Sequence, residues 1–251
     1  MPLLSELIDL PEQPLISIVG AGGPVVLAAK GVAIDVRAGV TDEVLLKGLI
    51  IDGAGTGSVG VAVESVGRLA ISEVTIRGFT DAMGGYGVGV LVEPQAGSTA
   101  VSIARATFAD NSWVHVLVNP NRTGGTGASA TATVDDAKMS GADYGVIVET
   151  AAAGSSAYTT IENVAMTNPK HTGVYSFAYA PGAPAEALVR NVTVTAARVA
   201  YAAGGFGKLS IVDSAAFASG GFDLFDLDGG VTSYGGNVLP NSSAVATASQ
   251  K

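Results

Sequence analysis

The 251-residue chain contains no cysteine. Without thiols it has no disulfide, no cysteine nucleophile and no Cys-ligated zinc or iron–sulfur centre. Many exported bacterial proteins also lack cysteine, so this absence does not assign a cellular compartment.

Charged residues, and basic ones above all, are scarce. Lys and Arg number 13 against 22 Asp and Glu, which gives a net charge of −9. Charged residues make up 14% of the chain, whereas about 25% is usual in soluble domains. A chain this poor in cations has no basic stripe to neutralise phosphates, so we expect neither nucleic acid nor an anionic membrane surface as a partner.

The charge-free stretch from Gln13 to Ala29 is interrupted by prolines and glycines. It matches neither a membrane-spanning helix nor a signal peptide, so we expect no membrane insertion. If the natural protein is exported, we expect its leader to lie outside this sequence.

Glycine is abundant, with 34 residues, and hydrophobic residues make up 48% of the chain, enough for one sizeable core. Stacking the short β-branched segments of the chain reveals a repeat with a variable period of roughly 23 to 32 residues. Seven segments align without gaps: Val44 to Ile51, Leu69 to Ile76, Val101 to Phe108, Ala132 to Met139, Thr159 to Met166, Ala187 to Val194 and Ser210 to Phe217.

The repeat has two positions that are apolar in every copy and one position that is polar or glycine. The third position reads Leu46, Ile71, Ile103, Val134, Ile161, Val189 and Val212, and the sixth reads Leu49, Val74, Ala106, Ala137, Val164, Val192 and Ala215. The fifth position reads Gly48, Glu73, Arg105, Asp136, Asn163, Asn191 and Ser214. Period-two alternation on both sides of the fifth position predicts two short strands joined by a bend.

A further apolar strand follows each block, so each repeat predicts one coil of three short strands. A single coil cannot bury its own apolar face, so the coils must stack. We therefore predict an all-β fold, a right-handed parallel β-helix (solenoid) of about seven to nine coils at residues 15–240. A short N-terminal cap helix over Leu3 to Leu10, within residues 1–14, and a flexible tail at residues 241–251 complete the predicted organisation.

Three segments carry a resemblance to a known group of proteins. They are V-L-L-K-G-L-I-I-D-G-A-G-T-G (Val44 to Gly57), S-E-V-T-I-R-G-F (Ser72 to Phe79) and S-Y-G-G-N (Ser233 to Asn237). These segments resemble bacterial right-handed parallel β-helix repeat proteins of the pectin-lyase-like superfamily, over approximately Ile16 to Leu239. The resemblance implies a site on the outer groove of a parallel sheet that acts on polysaccharides. It does not decide the activity, because the superfamily includes lyases, hydrolases, epimerases, esterases and binding proteins.

Glycoside hydrolysis requires two carboxylates about 5 to 9.5 Å apart on one exposed face. Asp135, Asp136 and Glu162 are the candidate catalytic acids, because Asp135 and Glu162 fall on adjacent coils. Because Asp135 and Glu162 carry like charges, each could raise the pKa of the other, or the two could hold a cation between them. Asp136 could instead belong to a charge-balanced surface ladder with Glu73 and Arg105.

Metal chemistry has thin support. The closely spaced Asp223, Asp226 and Asp228 suit an oxygen-ligated calcium ion. They read more simply as solvated residues on a terminal strand. No cofactor is therefore expected, with calcium kept as the alternative, and no metal ligand is assigned.

Aromatic rings that stack on the apolar face of a sugar would mark a binding surface. Trp113, Tyr86 and Tyr144 are the candidate ligand-binding residues, and Tyr175 and Tyr179 lie at comparable places in later coils. The alternative is that rings such as Tyr175 or Phe177 point into the core. Alternation places His115 outside, opposite its valine neighbours, where it could flank a sugar or titrate near neutral pH.

Three functional hypotheses remain open at this point. The first is a secreted or cell-surface protein that binds an extended polysaccharide or oligosaccharide, with cleavage by a lyase or hydrolase activity left open. The second is a non-catalytic structural or adhesion module. The third is an esterase that uses a serine and one of the two histidines. The oligomeric state is not predicted.

Overall fold

The computed structural model describes residues 15–20, 25–28, 30–80, 86–122 and 127–241 of the chain, and in this part every regular element is a β-strand. The strands pair in parallel throughout and form three sheets, so that each coil contributes one strand to each sheet. The protein is therefore a parallel β-solenoid of about seven coils. The predicted cap helix over Leu3 to Leu10 lies outside the described residues. No helix in the described ranges is long and apolar enough to cross a membrane.

Sheet 1 has nine strands, which follow one another along the solenoid axis. They are β1 (Leu15–Val19), β4 (Glu43–Lys47), β7 (Arg68–Ser72), β10 (Ser98–Ala104), β13 (Ser129–Asp135), β16 (Ser156–Glu162), β19 (Ala185–Arg190), β22 (Lys208–Val212) and β25 (Gly230–Ser233).

Sheet 2 has eight short strands of three residues each. They are β2 (Val25–Leu27), β5 (Ile50–Asp52), β8 (Thr75–Arg77), β11 (Thr107–Ala109), β14 (Lys138–Ser140), β17 (Ala165–Thr167), β20 (Thr193–Thr195) and β23 (Ala215–Phe217).

Sheet 3 also has eight strands. They are β3 (Gly31–Arg37), β6 (Gly57–Ser65), β9 (Val88–Val92), β12 (Val114–Val118), β15 (Tyr144–Thr150), β18 (Thr172–Ala178), β21 (Val199–Gly205) and β24 (Phe222–Leu227). The seven predicted repeats are the coils from β4 to β24, and β1 to β3 precede them.

The predicted interior row on sheet 1 is confirmed for six of its seven members. Parallel pairing aligns Leu46, Ile71, Ile103, Val134, Ile161 and Val189, and all six side chains are buried. Equivalent aliphatic groups therefore contact those of the coils before and after them, which removes apolar surface from water that a lone coil would expose.

The seventh copy was aligned wrongly by one residue. Val189 pairs with Ile211, not with Val212, and Ile211 is fully buried while Val212 is half-buried. Because side chains alternate with period two, this shift exchanges every inward and outward residue of the segment. It also places Ser214, not Ala215, at the interior sixth position, where its hydroxyl accepts a hydrogen bond from the Val192 backbone N–H at 3.1 Å.

The bend between sheets 1 and 2 explains the shift. The fifth-position residues have left-handed backbone conformations, with φ of 67° at Gly48, 54° at Asn163 and 50° at Asn191. In the seventh copy Asp213 takes this conformation, with φ of 48°. Asp tolerates the left-handed region better than most residues because its short polar side chain can bond locally, so the bend selects Asp213 instead of Ser214.

Candidate functional site

The outer face of sheet 3 carries a second apolar cluster, separate from the core. Along β12 and β15, Val116 and Val146 face the interior, whereas Leu117 and Ile147 belong to the outer cluster. Pairing then places Tyr175 of β18 beside Ile147. Leu117 and Ile147 are themselves buried, and the partly exposed rings of Trp113, Tyr144 and Tyr175 pack against this cluster. Because these rings remain partly exposed on one face, that face is the candidate functional surface.

Aromatic rings contact one another along this face over several coils. Tyr86 meets Trp113 edge to face, with ring centroids 5.3 Å apart at 81°. A second group is formed by Tyr144 with His171 (5.7 Å), Tyr144 with Tyr175 (6.4 Å), Tyr175 with Phe177 (5.7 Å) and Phe177 with Tyr179 (4.5 Å).

Most of these rings border one open cleft of about 460 Å³. Its lining consists of Trp113, Asn119, Arg122, Tyr144, Ile147, Glu149, Ala151, Tyr175, Phe177 and Tyr179. We refer to these ten residues as the aromatic cleft. It combines aromatic walls with a few polar groups, which is the usual composition of a small-molecule or glycan site.

The tyrosines of the cleft stay protonated over the ordinary pH range. Burial, with the nearby Tyr144 and Glu149, raises the pKa of Tyr175 to about 12. A hydrogen bond from its hydroxyl to the Glu149 carboxylate raises the pKa of Tyr179 to about 12. Burial also raises the pKa of Tyr144 above its ordinary value. Tyr144 and Tyr175 can therefore donate a hydrogen bond to a ligand, whereas the single O–H of Tyr179 is already donated to Glu149.

The structure brings together all three candidate ligand-binding aromatic residues. Trp113 and Tyr144 line the cleft, and Tyr86, which is 63% exposed, packs against Trp113. Tyr175 and Phe177, for which an inward orientation was the alternative, also line the cleft.

The predicted exposure of His115 is wrong, because its side chain is only 2% exposed. The imidazole lies beside the core ring of Phe108, and its Nδ1 is 3.1 Å from the Asn111 side-chain nitrogen. Burial lowers the pKa of His115 to about 3, although a hydrogen bond to the Ser140 backbone opposes this shift. The ring therefore remains neutral near physiological pH and contributes nothing to the cleft.

Simple alternation failed at His115 because this strand begins at a corner of the coil. Pairing joins Val114 to Tyr144 and Val116 to Val146, and it omits the residue between. The aligned residues of neighbouring coils are Gly89 and Gly145, where an added Cβ would lie 3.0 Å or less from core side chains. The position therefore faces inward, and the two glycines leave room for the imidazole.

The candidate catalytic acids lie away from the aromatic cleft, at the bend between sheets 1 and 2. Asp135 and Glu162 are paired neighbours on adjacent coils, as the alignment predicted. Asp135 accepts a hydrogen bond from Asn163 at 2.8 Å, and Glu162 forms an ion pair with Arg190 at 2.8 Å. These contacts engage both carboxylates in bonds between coils.

Asp136 is exposed at the bend, with φ of 49°. Part of the alternative surface ladder is present, because Glu73 forms ion pairs with Arg105 at 3.1 Å and with Lys47 at 3.4 Å.

The three aspartates considered for calcium do not converge. Asp223 is buried and accepts a hydrogen bond from the Asn241 backbone, while Asp226 binds the backbone N–H of Gly229 at 2.9 Å. Burial of Asp223 corrects its interpretation as a solvated residue. Within the described ranges, no group of three or more His, Asp or Glu side chains is arranged to hold a metal ion.

Sequence reasoning missed the polar residues of the cleft, namely Asn119, Arg122 and Glu149. A signal for two of them was present in the third strands. The segments V-L-V-E (Val90 to Glu93), V-L-V-N (Val116 to Asn119) and V-I-V-E (Val146 to Glu149) align, and each places a polar residue directly after an inward valine. No comparable pattern marks Arg122, which lies in the loop after β12.

No protein-family model matches the chain, no curated protein matches it, and no solved structure matches it.

Proposed function

We propose that this protein binds an extended carbohydrate, a polysaccharide or oligosaccharide, in the aromatic cleft. The observation that carries the proposal is the convergence of Trp113, Tyr144, Tyr175, Phe177 and Tyr179 from successive coils around one open cleft. Aromatic faces bind the apolar faces of pyranose rings, and the polar groups between them bind hydroxyls. Coils spaced about 4.8 Å apart suit a ligand that is itself a chain of repeated units.

A non-catalytic binding module fits the geometry better than an enzyme. The candidate acids Asp135 and Glu162 are engaged with Asn163 and Arg190, on a face different from that of the rings. An esterase that uses His115 has less support, since the hydrogen-bond partners of His115 are Asn111 and the Ser140 backbone.

Membership of the pectin-lyase-like superfamily, a bacterial source and secretion or surface display extend this proposal. Their support is the sequence resemblance and the solenoid fold. Right-handed coiling is expected as well, because about 98% of crossovers between parallel strands of one sheet are right-handed.

The test is carbohydrate binding by the full chain and by single alanine variants. A glycan array selects the ligands, and titration calorimetry then measures affinity. We expect Trp113→Ala and Tyr144→Ala each to weaken binding about 30-fold, which corresponds to roughly 2 kcal/mol for a central aromatic contact.

The matched control is Tyr158→Ala. Tyr158 is 42% exposed on β16 of sheet 1, so this variant removes a surface ring that is not part of the cleft. Absence of binding to every glycan, or equal losses in the cleft and control variants, would contradict the proposal.

A further inference from the structure

The polar end of the aromatic cleft presents hydrogen-bond acceptors. Asn119 is 4% exposed and lines the cleft, yet its buried Oδ1 has no hydrogen-bond partner. Glu149, which lies within β15 of the next coil, adds a half-buried carboxylate. An amide oxygen and a carboxylate can only accept hydrogen bonds, so a complementary ligand group must donate one.

The single cation of the cleft lining already has partners. The Arg122 guanidinium carbon lies 5.8 Å from the centre of the Trp113 ring, in a cation–π contact. The positive charge of Arg122 also stabilises the ionised form of Glu93, which follows β9 beside this end of the cleft. The Trp113 ring and the Glu93 carboxylate therefore offset part of its charge before any ligand arrives.

Negative charge is in excess around this end of the cleft. Glu149 accepts a hydrogen bond from Tyr179, and no Lys or Arg of the described ranges forms an ion pair with it. Burial raises the pKa of Glu93, and the neighbouring carboxylates of Glu64 and Asp35 raise it further against the effect of Arg122. Asp35 and Glu64 both form ion pairs with Arg37, at 2.9 and 2.7 Å, so the carboxylates that would repel a further anion here are Glu149 and the ionised form of Glu93.

We propose that the aromatic cleft selects glycans without carboxylate groups, neutral or amine-bearing, and discriminates against uronate polymers through Glu149 and Asn119. This selectivity rests on the proposed carbohydrate binding. Sugar hydroxyls and ammonium groups can donate hydrogen bonds to the Asn119 amide oxygen and to the Glu149 carboxylate. A uronate carboxylate has no proton to donate to either acceptor, and the negative charge of Glu149 would repel it.

The test compares ligands of equal length by titration calorimetry. The probes are a glucosamine hexamer, a panel of neutral hexamers and a galacturonate hexamer, each at about 0.15 M and at about 1 M salt. We expect the galacturonate hexamer to bind at least about tenfold more weakly than the best of the other probes at the lower salt. High salt should reduce this difference, because screening weakens exposed charge interactions.

Glu149→Gln removes the charge of the cleft and keeps the shape of the side chain. We expect it to reduce the preference against galacturonate by about tenfold. Glu186→Gln removes one carboxylate charge from sheet 1, where Glu186 pairs with Lys208, and should leave the preference unchanged.

The outcomes separate the two proposals. If no probe binds in a Trp113-dependent way, carbohydrate binding itself fails. If galacturonate binds best and binding depends on Trp113, carbohydrate binding stands and the selectivity is overturned. A preference that persists unchanged in Glu149→Gln, or that Glu186→Gln alters equally, overturns the role of Glu149.

Discussion

Replacing His115 should make the free energy of unfolding less dependent on pH in the acidic range. The pKa of its buried imidazole is about 3, against 6.5 for the free side chain. Between these two values the unfolded chain binds a proton that the folded protein does not bind. The free energy of unfolding therefore falls as the pH is lowered from 6.5 towards 3, and the stabilising contribution of the neutral ring is complete only above 6.5.

The expected effect follows from the distance between the two pKa values. Each pH unit within this window removes about 1.4 kcal/mol, so a pH of about 4.5 removes roughly 2.7 kcal/mol relative to neutral pH. His115→Gln keeps a polar side chain of similar length but cannot titrate. It should be less stable than the wild type near pH 7.5, and this deficit should shrink by roughly 2.7 kcal/mol near pH 4.5.

Urea unfolding at several pH values, followed by the fluorescence of the single tryptophan, measures the free energy of unfolding of the wild type and of His115→Gln. His171→Gln is the matched control, because it removes the other histidine of the chain from an exposed position. If the difference in free energy of unfolding between the wild type and His115→Gln stays constant from about pH 7.5 to about pH 4.5, the reasoning is refuted.

Two further predictions test the packing of the solenoid by thermal and urea unfolding. Ile211→Ala should cost about 2–5 kcal/mol because the side chain is fully buried, whereas Val212→Ala should cost less than about 1.5 kcal/mol; the reverse order would restore the register predicted from the sequence. Gly145→Ala should cost about 1–3 kcal/mol or prevent folding, because the new Cβ would lie 2.5 Å from the Gly173 carbonyl oxygen. Gly230→Ala, where the nearest heavy atom is 3.7 Å away, should be nearly neutral, and equal losses in the two glycine variants would contradict this account.

Much of the fold followed from the sequence because a stacked solenoid repeats one local pattern. The apolar row through Leu46, Ile71 and Ile103 could be read directly, since equivalent positions must contact each other between coils. The same reasoning failed in the seventh copy, where Ile211 and Val212 are both apolar and either could face inward. There the backbone conformation of Asp213 at the bend decided the register.

The site was less predictable for a related reason. Trp113 and Tyr144 were chosen as candidates because rings near a third strand are conspicuous, and both line the cleft. His115 was misplaced where the coil turns a corner. Asn119 and Glu149 had only a weak local signal, a polar residue directly after an inward valine. That pattern does not show that the two residues line one cleft, which depends on the stacking of their coils.

The sequence by itself determined the repeat, the parallel strand order and the interior aliphatic residues of the first six copies, because these depend on local alternation and on the equivalence of successive coils. Only the tertiary structure decided which outward residues share a surface. The aromatic cleft draws on residues from Trp113 to Tyr179, and stacking of the coils on sheet 3 brings them within contact distance. The same stacking separates that surface from the acids at the bend between sheets 1 and 2.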